Sequence, residues 1–213
     1  MLDTLQSPWL TAGEKLVCFG DSLTASTIGY VPILQKTLSA RGIEVIQAGV
    51  GGDKTTSALT RLDTEVGIHK PDAVSIFFGT NDAAIGHWIW ADEPLVNEVT
   101  YYDNLCWMVH LLKLRYQVKK FSITTPLWKF EGKIYDVHGD ILPPYHQKAR
   151  LAADTMRTLL VPLDTIFERM TLQTAARRDK ETGLLFTKDG IHPTDEGYQI
   201  IAEAMLKTWC MAE

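Results

Sequence analysis

Short apolar runs, most of them stopped by glycine or proline, recur along this chain with longer helical patterns between them. They are Lys15 to Phe19 before Gly20, Ile43 to Ala48 before Gly49, Ala73 to Phe78 before Gly79, Phe121 to Thr125 before Pro126, and Leu159 to Leu163. The runs lack the polar alternation of a half-solvated strand, which predicts strands covered on both faces. Strands that alternate with helical segments join through crossovers, so an α/β fold around a parallel sheet is expected. Helical spacing covers Tyr30 to Ala40, Thr55 to His69, Tyr145 to Leu160, Asp164 to Arg178 and Asp195 to Trp209. In Val99 to Tyr116, residues Tyr102, Leu105, Val109, Leu112 and Tyr116 share one apolar stripe. Thr194 is a favoured N-cap for the last helix. The longest irregular segments, Gly86 to Asn97 and Leu127 to Leu142, follow strand ends, where open α/β sheets bind ligands.

A chain of 213 residues fits one domain over 1–213. A globule of that size buries roughly 70% of its unfolded surface and needs no disulfide or structural metal. The formal net charge of −5 gives no general attraction for phosphate backbones or anionic membranes, so neither nucleic acid nor a membrane is an expected partner. No apolar stretch reaches the ~18 residues of a membrane span. Met1 to Gly13 lacks a basic segment followed by an apolar one, and a cytoplasmic chain is expected. Cys18, Cys106 and Cys210 are far apart and suit buried thiols in a reducing compartment. His69, His110, His138 and His146 show no metal-ligand spacing, so no metal or other cofactor is expected.

Four loops carry groups that can do chemistry. In Gly20-Asp21-Ser22-Leu23 a serine follows a strand at the entry to a helix, where unpaired backbone N–H groups can receive a developing oxyanion. Serine is equally a favoured helix cap, and the tetrapeptide alone does not separate the two roles. Asp189-Gly190-Ile191-His192-Pro193 supplies a base and an orienting acid three positions apart, so a tight turn can set Asp189 against the imidazole without a distant partner. Alone, this string would also suit a surface turn with a solvated histidine. Gly79-Thr80-Asn81-Asp82 offers an amide that can donate to an oxyanion without titrating, or else a turn-forming Asn-Asp pair. The glycine-rich turn Ala48 to Thr55 lets backbone N–H groups approach a ligand closely. It fits neither a phosphate loop nor a dinucleotide fingerprint.

Together, in this order and each at a strand end, these segments match four blocks of the SGNH hydrolases, the GDSL esterases and lipases. The chain resembles that family over nearly its full length. The resemblance implies a three-layer α/β/α sandwich with a short, about five-stranded parallel sheet of flavodoxin-like type. It also implies that Ser22 is the nucleophile and that Asp189 and His192 complete the triad. The oxyanion hole would then comprise the Ser22 N–H, Gly52 and Asn81. Gln47 departs from the asparagine usual at the start of the second block, at a position that sequence order sets apart from the chemistry. The G-x-S-x-G motif of other α/β-hydrolases is absent.

The expected activity is hydrolysis of a small-molecule carboxylic ester, with short acyl groups such as acetyl on carbohydrates or small alcohols. Lysophospholipase or acyl-thioesterase action on longer chains is the alternative enzyme reading, and a binding module on the same fold the alternative outside enzymology. Trp88 and Trp90 could wall the acyl or sugar pocket or simply pack at the domain edge. Trp128 and Tyr135 stand in the same position. Whether the two long loops form a pocket or a homo-oligomer interface is left open by the sequence.

Overall fold

A computed structural model describes residues 7–84 and 94–212. Its sheet has five parallel strands: β1 (Lys15–Gly20), β2 (Glu44–Gly49), β3 (Ala73–Phe77), β4 (Lys120–Thr124) and β5 (Leu159–Val161). Their order is β2-β1-β3-β4-β5. This is the flavodoxin-like arrangement that the family resemblance implies, with its switch point between β1 and β3. The strand ends agree with the apolar runs to within a few residues.

Period-two alternation within these runs feeds two cores, one on each face of the sheet. Val17, Phe19, Val74, Ile76, Phe121 and Ile123 point to one face. There they meet Tyr101, Leu105, Met108, Val109 and Leu112 of α6 (Glu98–Tyr116) and Ala149, Ala152 and Ala153 of α8 (Pro143–Met156). Leu16, Cys18, Ala73 and Phe77 point to the other face. They pack on α2 (Tyr30–Ser39), α9 (Leu163–Gln173) and α10 (Asp195–Thr208). Burial pushes the Cys18 thiol up to about 12, so it acts as a small core residue. Asn97 caps α6 through bonds from the N–H groups of Val99 and Thr100, and Thr194 caps α10 through a bond from Gly197. Among the described residues no helix is long and apolar enough to cross a membrane.

Several expected elements change. The single helix over 55–69 is instead α3 (Thr55–Thr60), α4 (Leu62–Glu65) and a 3-10 turn at Gly67–His69. The break falls at Arg61, whose side chain is drawn inward to the sheet edge. Arg157 takes a left-handed conformation (φ 53) and ends the helix expected to reach Leu160. The segment over 127–142, expected to be irregular, holds α7 (Gly132–His138). Beyond α9 a short 3-10 turn, Ala175–Arg177, replaces the last part of the helix expected to reach Arg178. Two very short helices, α1 (Ser22–Ala25) and α5 (Thr80–Ala83), occupy the turns after β1 and β3.

The turn after β1 lies tight against the end of β2. A Cβ on Gly49 would come within 2.3 Å of the Ala25 nitrogen and 2.6 Å of the Thr24 carbonyl carbon, both backbone atoms of α1. Gly49→Ala should therefore destabilise the fold by about 1–3 kcal/mol through overpacking. Thermal unfolding should show Tm falling by about 2–4 °C per kcal/mol for a chain of this size. An unchanged Tm would mean that α1 yields without loss.

Candidate active site

Asp21, Ser22 and Leu23 turn sharply out of β1. The Asp21 carboxylate is buried and accepts the Leu23 N–H at 2.9 Å, so it is Asp21 that caps α1. This separates the two roles open to Ser22. With the cap supplied by its neighbour, the Ser22 hydroxyl lies 3.0 Å from His192 Nε2.

His192 and Asp189 sit in a loop that has no strand or helix of its own until α10 begins at Asp195. Asp189 Oδ1 accepts the N–H groups of Ile191 (3.0 Å) and His192 (2.8 Å), and Oδ2 accepts the imidazole Nδ1–H at 2.7 Å. With Nδ1–H committed to the carboxylate, Nε2 carries the lone pair and the Ser22 hydroxyl donates to it. Burial opposes charge on Asp189, but the bonds from the imidazole and the two N–H groups outweigh it and bring its pKa down to about 2. The same contact raises the pKa of His192 above its ordinary value, against a smaller opposing effect of burial.

Gly52 and Asn81 come to the same edge from β2 and β3. Gly52 has φ +76, a left-handed conformation in which a side chain would be strained. Neither the Ser22 N–H nor the Gly52 N–H has a protein acceptor among the described residues. The buried Asn81 amide donates to the Asp53 carbonyl at 3.0 Å and to Asp21 Oδ2 at 3.2 Å. Ser22, Gly52 and Asn81 thus follow β1, β2 and β3, around the switch point of the sheet. Trp88 and Trp90, with His87, lie outside the described residues. Trp128 and Tyr135 both face the Lys129 ammonium, at 4.4 and 4.5 Å from their ring centroids. Among the described residues no cluster of three or more acidic, histidine or cysteine side chains could hold a metal.

Some residues that build this edge escape a sequence reading. Arg61 donates from Nη2 to the Gly20 carbonyl (2.8 Å), from Nη1 to the Ala48 carbonyl (3.0 Å) and from Nε to Asp53 Oδ2 (2.6 Å). One guanidinium therefore ties the ends of β1 and β2 to the glycine turn, while it stacks over Phe19 at 4.6 Å. In sequence it is an arginine in a helical pattern, where a solvated face is the ordinary reading. Gln47 lies nearer the site than its place in the sequence suggests. Its amide donates to the carbonyls of Thr24 (2.7 Å) and Ser26 (3.3 Å), which fixes the far end of α1.

Comparison with known proteins identifies the family and the fold. The model of the GDSL-like lipase/acylhydrolase family matches residues 18–200. An acetylxylan esterase of Geobacillus stearothermophilus is 28% identical over 92% of this chain and 94% of its own. Among solved structures, LAE5, described as an alpha/beta hydrolase enzyme from the metagenome of Lake Arreo, Spain, superposes with a TM-score of 0.79 at 27% identity. That match covers 97% of this chain and 100% of LAE5. A variant of the acetylxylan esterase Axe2 from Geobacillus stearothermophilus superposes with a TM-score of 0.76 at 26% identity, over 94% and 95% of the two chains. Solved variants of Axe2 described as catalytic mutants replace an aspartate, a histidine and a serine by alanine.

The Asp189 contact sets the titration of His192, and this can be measured without any substrate. An imidazole NMR titration should place the His192 midpoint above 6.5 in the native protein. In Asp189→Asn the midpoint should fall, because the charge that favours the imidazolium is gone. A midpoint that did not move would show that Asp189 does not govern it.

Proposed function

The chain belongs to the GDSL-like lipase/acylhydrolase family and is a carboxylic ester hydrolase, and from that premise we propose that it acts through a Ser22-His192-Asp189 triad on short-chain acyl esters. The carrying observation is the hydrogen-bonded line from Ser22 Oγ to His192 Nε2 (3.0 Å) and from Nδ1 to Asp189 Oδ2 (2.7 Å). In the first half-reaction Ser22 Oγ attacks the ester carbonyl while its proton passes to Nε2. Asp189 holds the tautomer and stabilises the imidazolium. The N–H groups of Ser22 and Gly52 and the amide of Asn81 receive the oxyanion. His192 then returns the proton to the leaving alcohol, and water releases the acyl group by the same route.

Acetyl esters of a carbohydrate or small alcohol are the favoured substrates. This choice is supported by the similarity to an acetylxylan esterase, which extends along nearly all of both chains. Rates with p-nitrophenyl esters of increasing chain length should be highest at acetyl. A maximum at long acyl chains would instead favour lysophospholipase or thioesterase action.

Ser22→Ala should abolish turnover and fluorophosphonate labelling while leaving the circular dichroism unchanged; retained labelling would remove Ser22 from the role. Asn81→Ala should lose roughly 3–4 kcal/mol of transition-state stabilisation, read as a fall in kcat. The base must be neutral, and the pKa of His192 is raised. The rate kcat/KM should therefore climb with pH as His192 loses its proton, with a midpoint above the ordinary histidine value. A flat profile across that range would argue against His192 as the base.

A further inference from the structure

The loop that carries Asp189 and His192 has little regular structure of its own. Its backbone-to-backbone bonds are those of one isolated bridge between Thr187 and Pro193, from Lys188 N–H to the His192 carbonyl (2.8 Å) and from Thr194 N–H to the Phe186 carbonyl (2.8 Å). A site built on such a loop holds its geometry less well than one on a helix or strand unless something beneath fixes it. What lies beneath is Glu131, which immediately precedes α7 and is only 6% exposed.

Glu131 Oε2 accepts three consecutive backbone N–H groups, those of Leu185 (3.0 Å), Phe186 (3.0 Å) and Thr187 (2.9 Å). The Thr187 hydroxyl also donates to it at 2.7 Å, and that hydroxyl oxygen in turn accepts the Gly190 N–H at 3.2 Å. The backbone of Glu131 completes the clasp, its N–H donating to the Gly190 carbonyl at 2.9 Å. The fit is close. A Cβ on Gly190 would stand 2.4 Å from the Glu131 carbonyl oxygen, and Gly190 has φ +98. Arg178 donates to Oε1 at 3.5 Å. Burying a carboxylate is unfavourable unless it is fully engaged, and charge-assisted bonds to N–H groups are the strong kind. The bonds fall on residues 185–187 and 190, on both sides of Asp189.

We infer that Glu131 is a positioning residue for the ester hydrolysis, one that holds the Asp189-His192 loop in register with Ser22. The inference rests on the triad reading above. The contact between Asp189 and His192 is local to the turn, but the turn itself is held by a residue more than fifty positions upstream.

Loss of the clasp should let the imidazole drift from both its partners. A displacement of about 1 Å at a reacting group costs up to about hundredfold in rate. In Glu131→Ala, kcat on a p-nitrophenyl acetate should therefore fall by about hundredfold with KM little changed. The midpoint of the kcat/KM profile should also move to lower pH, because the Asp189 bond that raises the pKa of His192 is weakened. Glu131→Gln keeps one oxygen to accept the loop N–H groups and should restore most of kcat and of the midpoint. A folded Glu131→Ala protein with wild-type kcat and midpoint would overturn the inference. If Glu131→Ala does not fold, Thr187→Val gives the same test. It removes the hydroxyl that links Glu131 to Gly190, and should lower kcat by about tenfold with the same shift in midpoint. No change in either quantity would again overturn it. Fluorophosphonate labelling of the wild type and its loss in Ser22→Ala test the triad itself, so a failure there is distinguishable from a failure at Glu131.

Discussion

Backbone groups that leave a parallel sheet lose their ladder partners, and at the carboxyl edge here they are satisfied by a few side chains, of which Asp21, Asn81 and Glu131 are buried, Arg61 half-buried and Gln47 exposed. Arg61 takes the carbonyls of Gly20 and Ala48, Asn81 takes that of Asp53, and Gln47 takes those of Thr24 and Ser26. Asp21 takes the Leu23 N–H, and Glu131 takes three N–H groups of the loop before Asp189. A polar atom buried without such a partner would be costly. The demand for partners therefore directs these side chains to the loop backbone, and their fixed lengths set the spacing of the turns. The turns after β1, β2 and β3 and the loop at 185–192 meet at one place because the network closes on all of them.

The apolar framework of this chain was legible because period and burial coincide. Each strand is a mostly apolar run, and its apolar residues supply both cores alternately, as Val17 and Phe19 do against Leu16 and Cys18. The four loops that carry Ser22, Gly52, Asn81, Asp189 and His192 were legible too, because their chemistry is local to short strings. Residues acting across the chain were not. Arg61 interrupts a helical pattern for the sake of the sheet edge, and nothing in its neighbours signals that. Glu131 stands before a glycine in a segment with no clear period, and its partners are 54 to 56 residues away. Gln47 was readable only as a departure from a block, while its amide in fact holds the helix that begins with Ser22. Such residues act through hydrogen bonds between segments distant in sequence, which a local pattern does not encode.

The electrostatics of the edge also bear on the proposed mechanism, since two carboxylates act on His192 in different ways. Asp189 is half-exposed and held by three donors, so it remains charged through any pH at which a histidine base works. Asp21 is buried, and burial raises its pKa to about 7 although the Leu23 N–H opposes the rise. A fixed negative charge beside an oxyanion hole would oppose the very charge that develops in the transition state. The position of Asp21 limits that conflict. Its Oδ1 is occupied by the α1 cap, and its Oδ2 meets Asn81 at 3.2 Å, the longer of the two bonds that the amide makes. On the proposed mechanism, the longer bond to Asp21 is the one that gives way to the oxyanion, while the shorter bond to the Asp53 carbonyl keeps the amide plane in place. The two carboxylates of this edge therefore differ in what their surroundings favour: three donors keep Asp189 ionised beside the base, whereas burial disfavours the charge on Asp21.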